Sequence, residues 1–104
     1  MSEIKDIEEG DFKEVVSEGL VLVDLWAPWC GPCRMLGPVL KKIAEKKEDV
    51  QIVKLNIDDA KDLTKDLNVA TIPTMILFKD GEEIGRKMGA CREGDLIEFI
   101  EQGE

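Results

Sequence analysis

The sequence predicts an α/β sandwich built on a mixed sheet, and three observations carry that prediction. Residues 20–26 and 74–79 are near-continuous apolar runs, of the length and type expected for strands buried on both faces. Segments with apolar residues at helical spacing lie between and around such runs, so strands and helices alternate along the chain. Asp80-Gly81 is a strong two-residue hairpin signal. A hairpin makes its two strands antiparallel, so a sheet otherwise joined by helical crossovers has to be mixed.

In chain order, residues 3–7 suit a short edge strand. Gly10 and Asp11 open a short helix that reaches Ser17 and is ended by Gly19. Residues 20–26 follow as the first inner strand. Residues 32–47 read as a helix: Pro32 suits the first turn, where no N–H is required. Leu36, Val39, Leu40 and Ile43 form its apolar stripe, and Lys41, Lys42, Glu45 and Lys46 its wet side. Pro38 falls inside this helix and removes the bond to the Arg34 carbonyl, so a kink is expected. Residues 51–56 are a second inner strand. Asp58 or Asp59 then caps a short helix carrying Leu63 and Leu67 at i, i+4 spacing. Residues 74–79 form the third apolar strand, and the Asp80-Gly81 turn leads into a strand over 82–88. Residues 93–102 close the chain as a helix with Leu96, Ile97 and Ile100 inward.

Bulk composition narrows the function classes. The 104 residues make one domain, 1–104, and 43% apolar content is enough for a real core. A net charge of −9 repels phosphate, which argues against nucleic acid and anionic membranes as partners. No apolar run approaches the roughly 18 residues of a membrane span. The polar N-terminal residues lack the apolar stretch of a secretory signal, so a cytoplasmic location is expected. With three Cys and no His, a four-ligand zinc site within one chain would have to recruit carboxylates, so no metal is expected. Nothing resembles a Gly-rich dinucleotide loop, so no bound cofactor is expected either. The charged fraction of 36%, with only four Asn and Gln in total, follows a thermophile trend.

Residues 29–33, Trp-Cys-Gly-Pro-Cys, carry the chemistry. Residues i and i+3 of a helix are neighbours, with Cβ atoms roughly 5–6 Å apart. A disulfide needs Cα atoms roughly 4.4–6.8 Å apart. Cys30 and Cys33 can therefore close a bond and reopen it with little backbone movement. Cys30 would lie at a helix N-terminus, where free N–H groups and the helix dipole favour a thiolate. A thiolate beside a reachable thiol is the equipment for thiol–disulfide exchange. A structural disulfide is the competing reading of the same pair. Asp24 stands in an otherwise apolar run; burial without partners should raise its pKa and suit it to general base work for Cys33.

Together these residues resemble the thioredoxin family over nearly the whole length. The matching residues are Asp24-Leu25-Trp26-Ala27-Pro28-Trp29-Cys30-Gly31-Pro32-Cys33, Pro38, Lys54 with Asp58, Ile72-Pro73-Thr74, Phe78, Gly81 and Gly89-Ala90. The resemblance implies the thioredoxin fold: a central mixed five-stranded sheet, order 1-3-2-4-5, flanked by four helices. It implies a protein-disulfide reductase in which Cys30 is the exposed attacking thiol and Cys33 resolves the mixed disulfide. It assigns Asp24 as general base and Lys54 as its electrostatic modulator, although a strand lysine is ordinarily solvated at its tip. Most X–Pro bonds are trans, but the resemblance implies a cis bond at Pro73, facing the cysteine pair. Trp29, Gly31, Pro32, Ile72, Pro73, Met88, Gly89 and Ala90 would then form the substrate-binding surface, with the Ile72 backbone open to strand addition.

The same resemblance implies partners: disulfide-containing client proteins, and a thioredoxin reductase, flavin- or ferredoxin-linked, as electron donor to a monomer. Two other readings compete. A disulfide oxidase or isomerase of this fold usually carries a His between its cysteines, and here Gly31-Pro32 stands there. A binding module would not use the thiols at all. Cys91 departs from the family pattern; it is either a tolerated small residue or a third redox-sensitive thiol.

Overall fold

The computed structural model describes residues 4–104. Its elements alternate as the apolar pattern requires: β1 (Lys5–Ile7), a 3₁₀ turn (Glu9–Asp11), α1 (Phe12–Val15), β2 (Leu20–Trp26), α2 (Gly31–Lys46) and β3 (Val50–Asn56). A second 3₁₀ turn (Ile57–Asp59) leads to α3 (Lys61–Asp66), β4 (Thr74–Lys79), β5 (Glu82–Met88) and α4 (Glu93–Glu101). The five strands form one sheet in the order β1-β3-β2-β4-β5. β1, β3 and β2 run parallel, and β4 and β5 join antiparallel. The fold expected from the resemblance is therefore the one observed.

Continuous apolar runs arise because the inner strands are covered on both faces. Along β2, Leu22 belongs to one core with Leu36, Leu40 and Ile43 of α2 and with Leu96 and Ile100 of α4. Its neighbours Val21, Val23 and Leu25 face a second core, shared with Val53, Leu55, Ile76, Phe78 and half-buried residues of α1 and α3. Asp24 shares the first face, in register with Lys54 of β3 and Met75 of β4. The β4–β5 turn has φ +50 at Asp80 and +90 at Gly81, the double positive φ of the tightest hairpin type.

Several local expectations are corrected. Glu3 lies outside the described residues, so the edge strand is seen from Lys5. The first helix ends at Val15, two residues short of Ser17. Neither Asp58 nor Asp59 caps α3. Asn56 caps the preceding 3₁₀ turn, its side-chain oxygen accepting from the Asp58 N–H at 3.0 Å. The first turn of α3 is served from far along the chain: the Leu63 N–H donates to Glu9 Oε1 at 3.0 Å. In α4 Leu96 and Ile100 are buried and the half-buried Ile97 packs against the same core, as expected, but Phe99 is buried with them. Phe99 takes that place because Gly85 of β5 leaves room; a Cβ there would sit 3.0 Å from its ring.

Candidate redox site

The C-terminal end of β2 and the start of α2 build the site. Cys30 is the N-cap of α2, with extended backbone (φ −92, ψ 111), and Gly31 and Pro32 begin the helix. The Cys33 N–H donates to Cys30 Sγ at 3.2 Å. That is a capping bond made by sulfur, and it directs a helix N–H at the atom that would carry thiolate charge. Cys30 and Cys33 are joined as a disulfide with Cα atoms 5.3 Å apart. Their spacing alone puts them within reach.

Burial of the pair departs from the expectation of an exposed attacking thiol. Cys30 is 6% exposed and Cys33 4%. Both pack with Ala27 and with the half-buried Trp26, Ile57 and Ile72. What stands out at the surface is the apolar rim: Trp29 is 67% exposed, Met88 72% and Met35 73%. Gly31, Pro32 and Ala90 are exposed as well, and Ile72 and Gly89 are half-buried.

Across from α2, the loop before β4 carries a cis Ile72–Pro73 peptide bond. The Ile72 carbonyl oxygen lies 3.9 Å from Cys30 Sγ. Pro73 is itself buried. Its carbonyl accepts from the Gly89 N–H at 2.8 Å, tying this loop to the end of β5. Gly89 has φ +85, which a residue with a side chain adopts only under strain. Thus Ile72 reaches the disulfide directly, and Pro73 ties its loop to Gly89 at the end of β5.

Asp24 lies below, on the face of β2 that α2 covers. It is 1% exposed, and its Oδ1 makes no hydrogen bond among the described residues. Burial pushes its carboxyl up to about 7, and the Lys54 charge pulls it partly back. Lys54 does not bond to it directly. Its Nζ stands over the Trp26 ring, 4.1 Å from the centroid.

Two residues hold places at the site that the sequence did not assign them. Asp58 accepts a hydrogen bond from Trp29, although 29 positions separate them and no local pattern announces it. Met35 extends the apolar rim into a groove it shares with Pro38, Val39, Ala90 and Cys91. Its one signal is a large apolar residue off the Leu36–Leu40–Ile43 stripe. Cys91 is half-buried against the first core. Burial pushes its thiol up, Lys87 pulls it down and Asp95 raises it, so the net environment works against a reactive thiolate.

Among the described residues no group of three or more His, Cys, Asp and Glu side chains is placed to hold a metal ion. No helix among them is long and apolar enough to cross a membrane.

Comparison with known proteins agrees with this geometry. The thioredoxin family model matches residues 3–102. Thioredoxin of Haemophilus influenzae is 43% identical over 105 residues, covering 98% of each chain. Thioredoxin of Chlamydia pneumoniae is 46% identical over 97 residues, 93% of this chain and 95% of that one. Among solved structures, Malassezia sympodialis thioredoxin has a TM-score of 0.88 at 31% identity, covering 99% of this chain and 92% of that one. Mitochondrial thioredoxin 3 of Saccharomyces cerevisiae, in its oxidized form, has a TM-score of 0.88 at 33% identity, covering 95% and 94%.

Proposed function

Because the chain belongs to the thioredoxin family, we propose that it reduces protein disulfides with Cys30 attacking, Cys33 resolving and Asp24 moving the proton. Its class is thiol–disulfide oxidoreductase, and it works between disulfide clients and a reductase. The division of labour among residues is our reading. The observation that carries it is the Cys33 N–H aimed at Cys30 Sγ, because it favours negative charge on that sulfur in particular.

The cycle balances as follows. The Cys30 thiolate attacks one sulfur of a client disulfide; a Cys30–client disulfide forms and the other client sulfur leaves as a thiolate that takes up a proton. Cys33 then gives its proton to the Asp24 carboxylate and attacks Cys30 Sγ. The second client sulfur leaves and is protonated, and the Cys30–Cys33 disulfide of the present structure remains. Two electrons have passed to the client. An Asp24 carboxyl near 7 suits that step, since a base is most useful when its proton affinity lies near the working pH.

Client polypeptide would lie across Trp29, Gly31, Pro32, Ile72, Met88, Gly89 and Ala90, with Pro73 holding the Ile72 backbone in place and Lys54 tuning Asp24. Met35 adds to this surface. We take the protein to act as a cytoplasmic monomer of one domain, recharged by a flavin- or ferredoxin-linked reductase.

The test is the reduction potential of the Cys30–Cys33 couple, followed by Trp fluorescence across defined dithiol/disulfide ratios. The expected result is about −270 mV, the reference value for thioredoxin itself. A result between about −180 and −120 mV, the range of isomerases and oxidases, would reverse the assigned direction.

A further inference from the structure

The Lys54 ammonium has two anionic or electron-rich neighbours on the same face of the sheet, and it sits on the weaker one. β2 carries Asp24 and, two residues on, Trp26; both side chains project to the face covered by α2. On β3, Lys54 is in register with Asp24, and Asn56 with Trp26. Lys54 is thus the direct neighbour of Asp24 and the diagonal neighbour of Trp26. Nevertheless no Lys54–Asp24 ion pair within 4.0 Å forms among the described residues, and Nζ lies 4.1 Å from the Trp26 ring centroid. Among the described residues, Lys54 is the charge that acts on Asp24. Its partner on β4 is Met75, and the residues α2 buries are Cys33, Leu36, Leu40, Ile43 and Ala44.

We propose that Trp26 is a positioning residue, whose ring seats the Lys54 ammonium beside the buried Asp24 carboxyl and keeps it from closing an ion pair there. A ring face attracts a cation while leaving its outer side hydrated. Pairing with Asp24 would dehydrate both charges, so the ring offers the ammonium a seat that costs less. Without the ring, Lys54 is left with one anionic neighbour in a low-dielectric surround, and the pair closes. Asp24 would then hold its proton less tightly and accept the Cys33 proton less readily. This consequence rests on the proposed role of Asp24 in the cycle; the placement itself does not.

The test is a double-mutant cycle read on the Asp24 carboxyl by NMR titration of the oxidised protein, in which Cys30 and Cys33 do not titrate. Trp26→Leu is expected to weaken Asp24 proton affinity by about tenfold, while Trp26→Phe, which keeps a ring face, leaves it near the parent. In a Lys54→Met background, Trp26→Leu should have little further effect. An equal shift in both backgrounds means that Trp26 acts only by excluding water, and this overturns the proposal; so does no shift in either. Should Trp26→Leu fail to fold, the parent decides: ring-current upfield shifts of the Lys54 side-chain protons are expected, and their absence overturns the seat. Turnover of Asp24→Asn separately tests the base role, so failure of that role is distinguishable from failure of the placement.

Discussion

The Trp29 indole Nε1 donates a 3.0 Å hydrogen bond to Asp58 Oδ2, and through it the most exposed aromatic ring of the protein is held against the redox site. Asp58 is itself held, its N–H donating to Asn56 at the end of β3. The bond joins the loop before α2 to the turn after β3, so a ring left in water acquires one orientation. A fixed aromatic surface loses little conformational freedom when a client docks.

Asp58→Ala is therefore expected to raise KM for a protein disulfide several-fold while leaving reduction of a small organic disulfide near the parental rate. Stability should change by less than about 1 kcal/mol, since the bond is exposed. Steady-state kinetics with both substrates check this. Equal losses on the two substrates would mean that Asp58 acts on the thiols and not on docking.

Stability should fall with rising pH because of Asp24. Its carboxyl titrates at about 7 in the folded protein against an ordinary value of 3.8. Below 3.8 both states hold the proton. Between 3.8 and about 7 the folded state holds a proton that the unfolded state has released, so stability declines as pH rises through this window. The full decline is on the order of 4 kcal/mol. Asp24→Asn should remove it, giving a urea midpoint advantage over the parent that grows from acid to mildly alkaline pH. An advantage independent of pH would refute charge burial as the cause.

Cysteine variants separate attack from resolution. Cys33→Ser should retain Cys30 attack and accumulate a stable mixed disulfide with a client, visible as a mass adduct. Cys30→Ser should form none through Cys33, because the helix N–H that favours thiolate charge is aimed at the Cys30 sulfur, while Cys33 lies one helical turn inside α2. Comparable adducts on both variants would show that the two thiols are interchangeable.

Glu9→Ala should destabilise the protein by about 1 kcal/mol, the usual worth of a helix cap, because Leu63 N–H in the first turn of α3 loses its acceptor. Glu18→Ala, an exposed change of the same charge, should fall within about 0.5 kcal/mol of the parent. Chemical denaturation of the two variants makes the comparison. Equal effects would attribute the loss to net charge.

Most of the framework was legible. Strands 20–26, 74–79 and 82–88 lie where the apolar runs and the Asp80-Gly81 turn put them, because strand and turn signals are local. The misses have two causes. Asn56 competes with Asp58 locally, accepting from an N–H only two residues on, whereas Glu9 serving α3 and Phe99 joining the core each depend on a contact made after the chain has folded. Gly85 opens the space for Phe99, yet it lies fourteen residues earlier, and no periodicity within α4 reveals it.

By itself, then, the sequence determined the chemistry. Three-residue spacing puts two thiols within disulfide reach, and Pro32 with the free N–H groups of a helix start favours thiolate at Cys30. These effects act within one turn of backbone and need no tertiary partner. Only the tertiary structure decided how deeply both sulfurs are covered, that Asp24 titrates near neutrality, and that Lys54 rests on Trp26. Desolvation and Coulomb attraction depend on what surrounds a group in space. Those surroundings are assembled from β2, β3, β4 and α2, which no single stretch of chain contains.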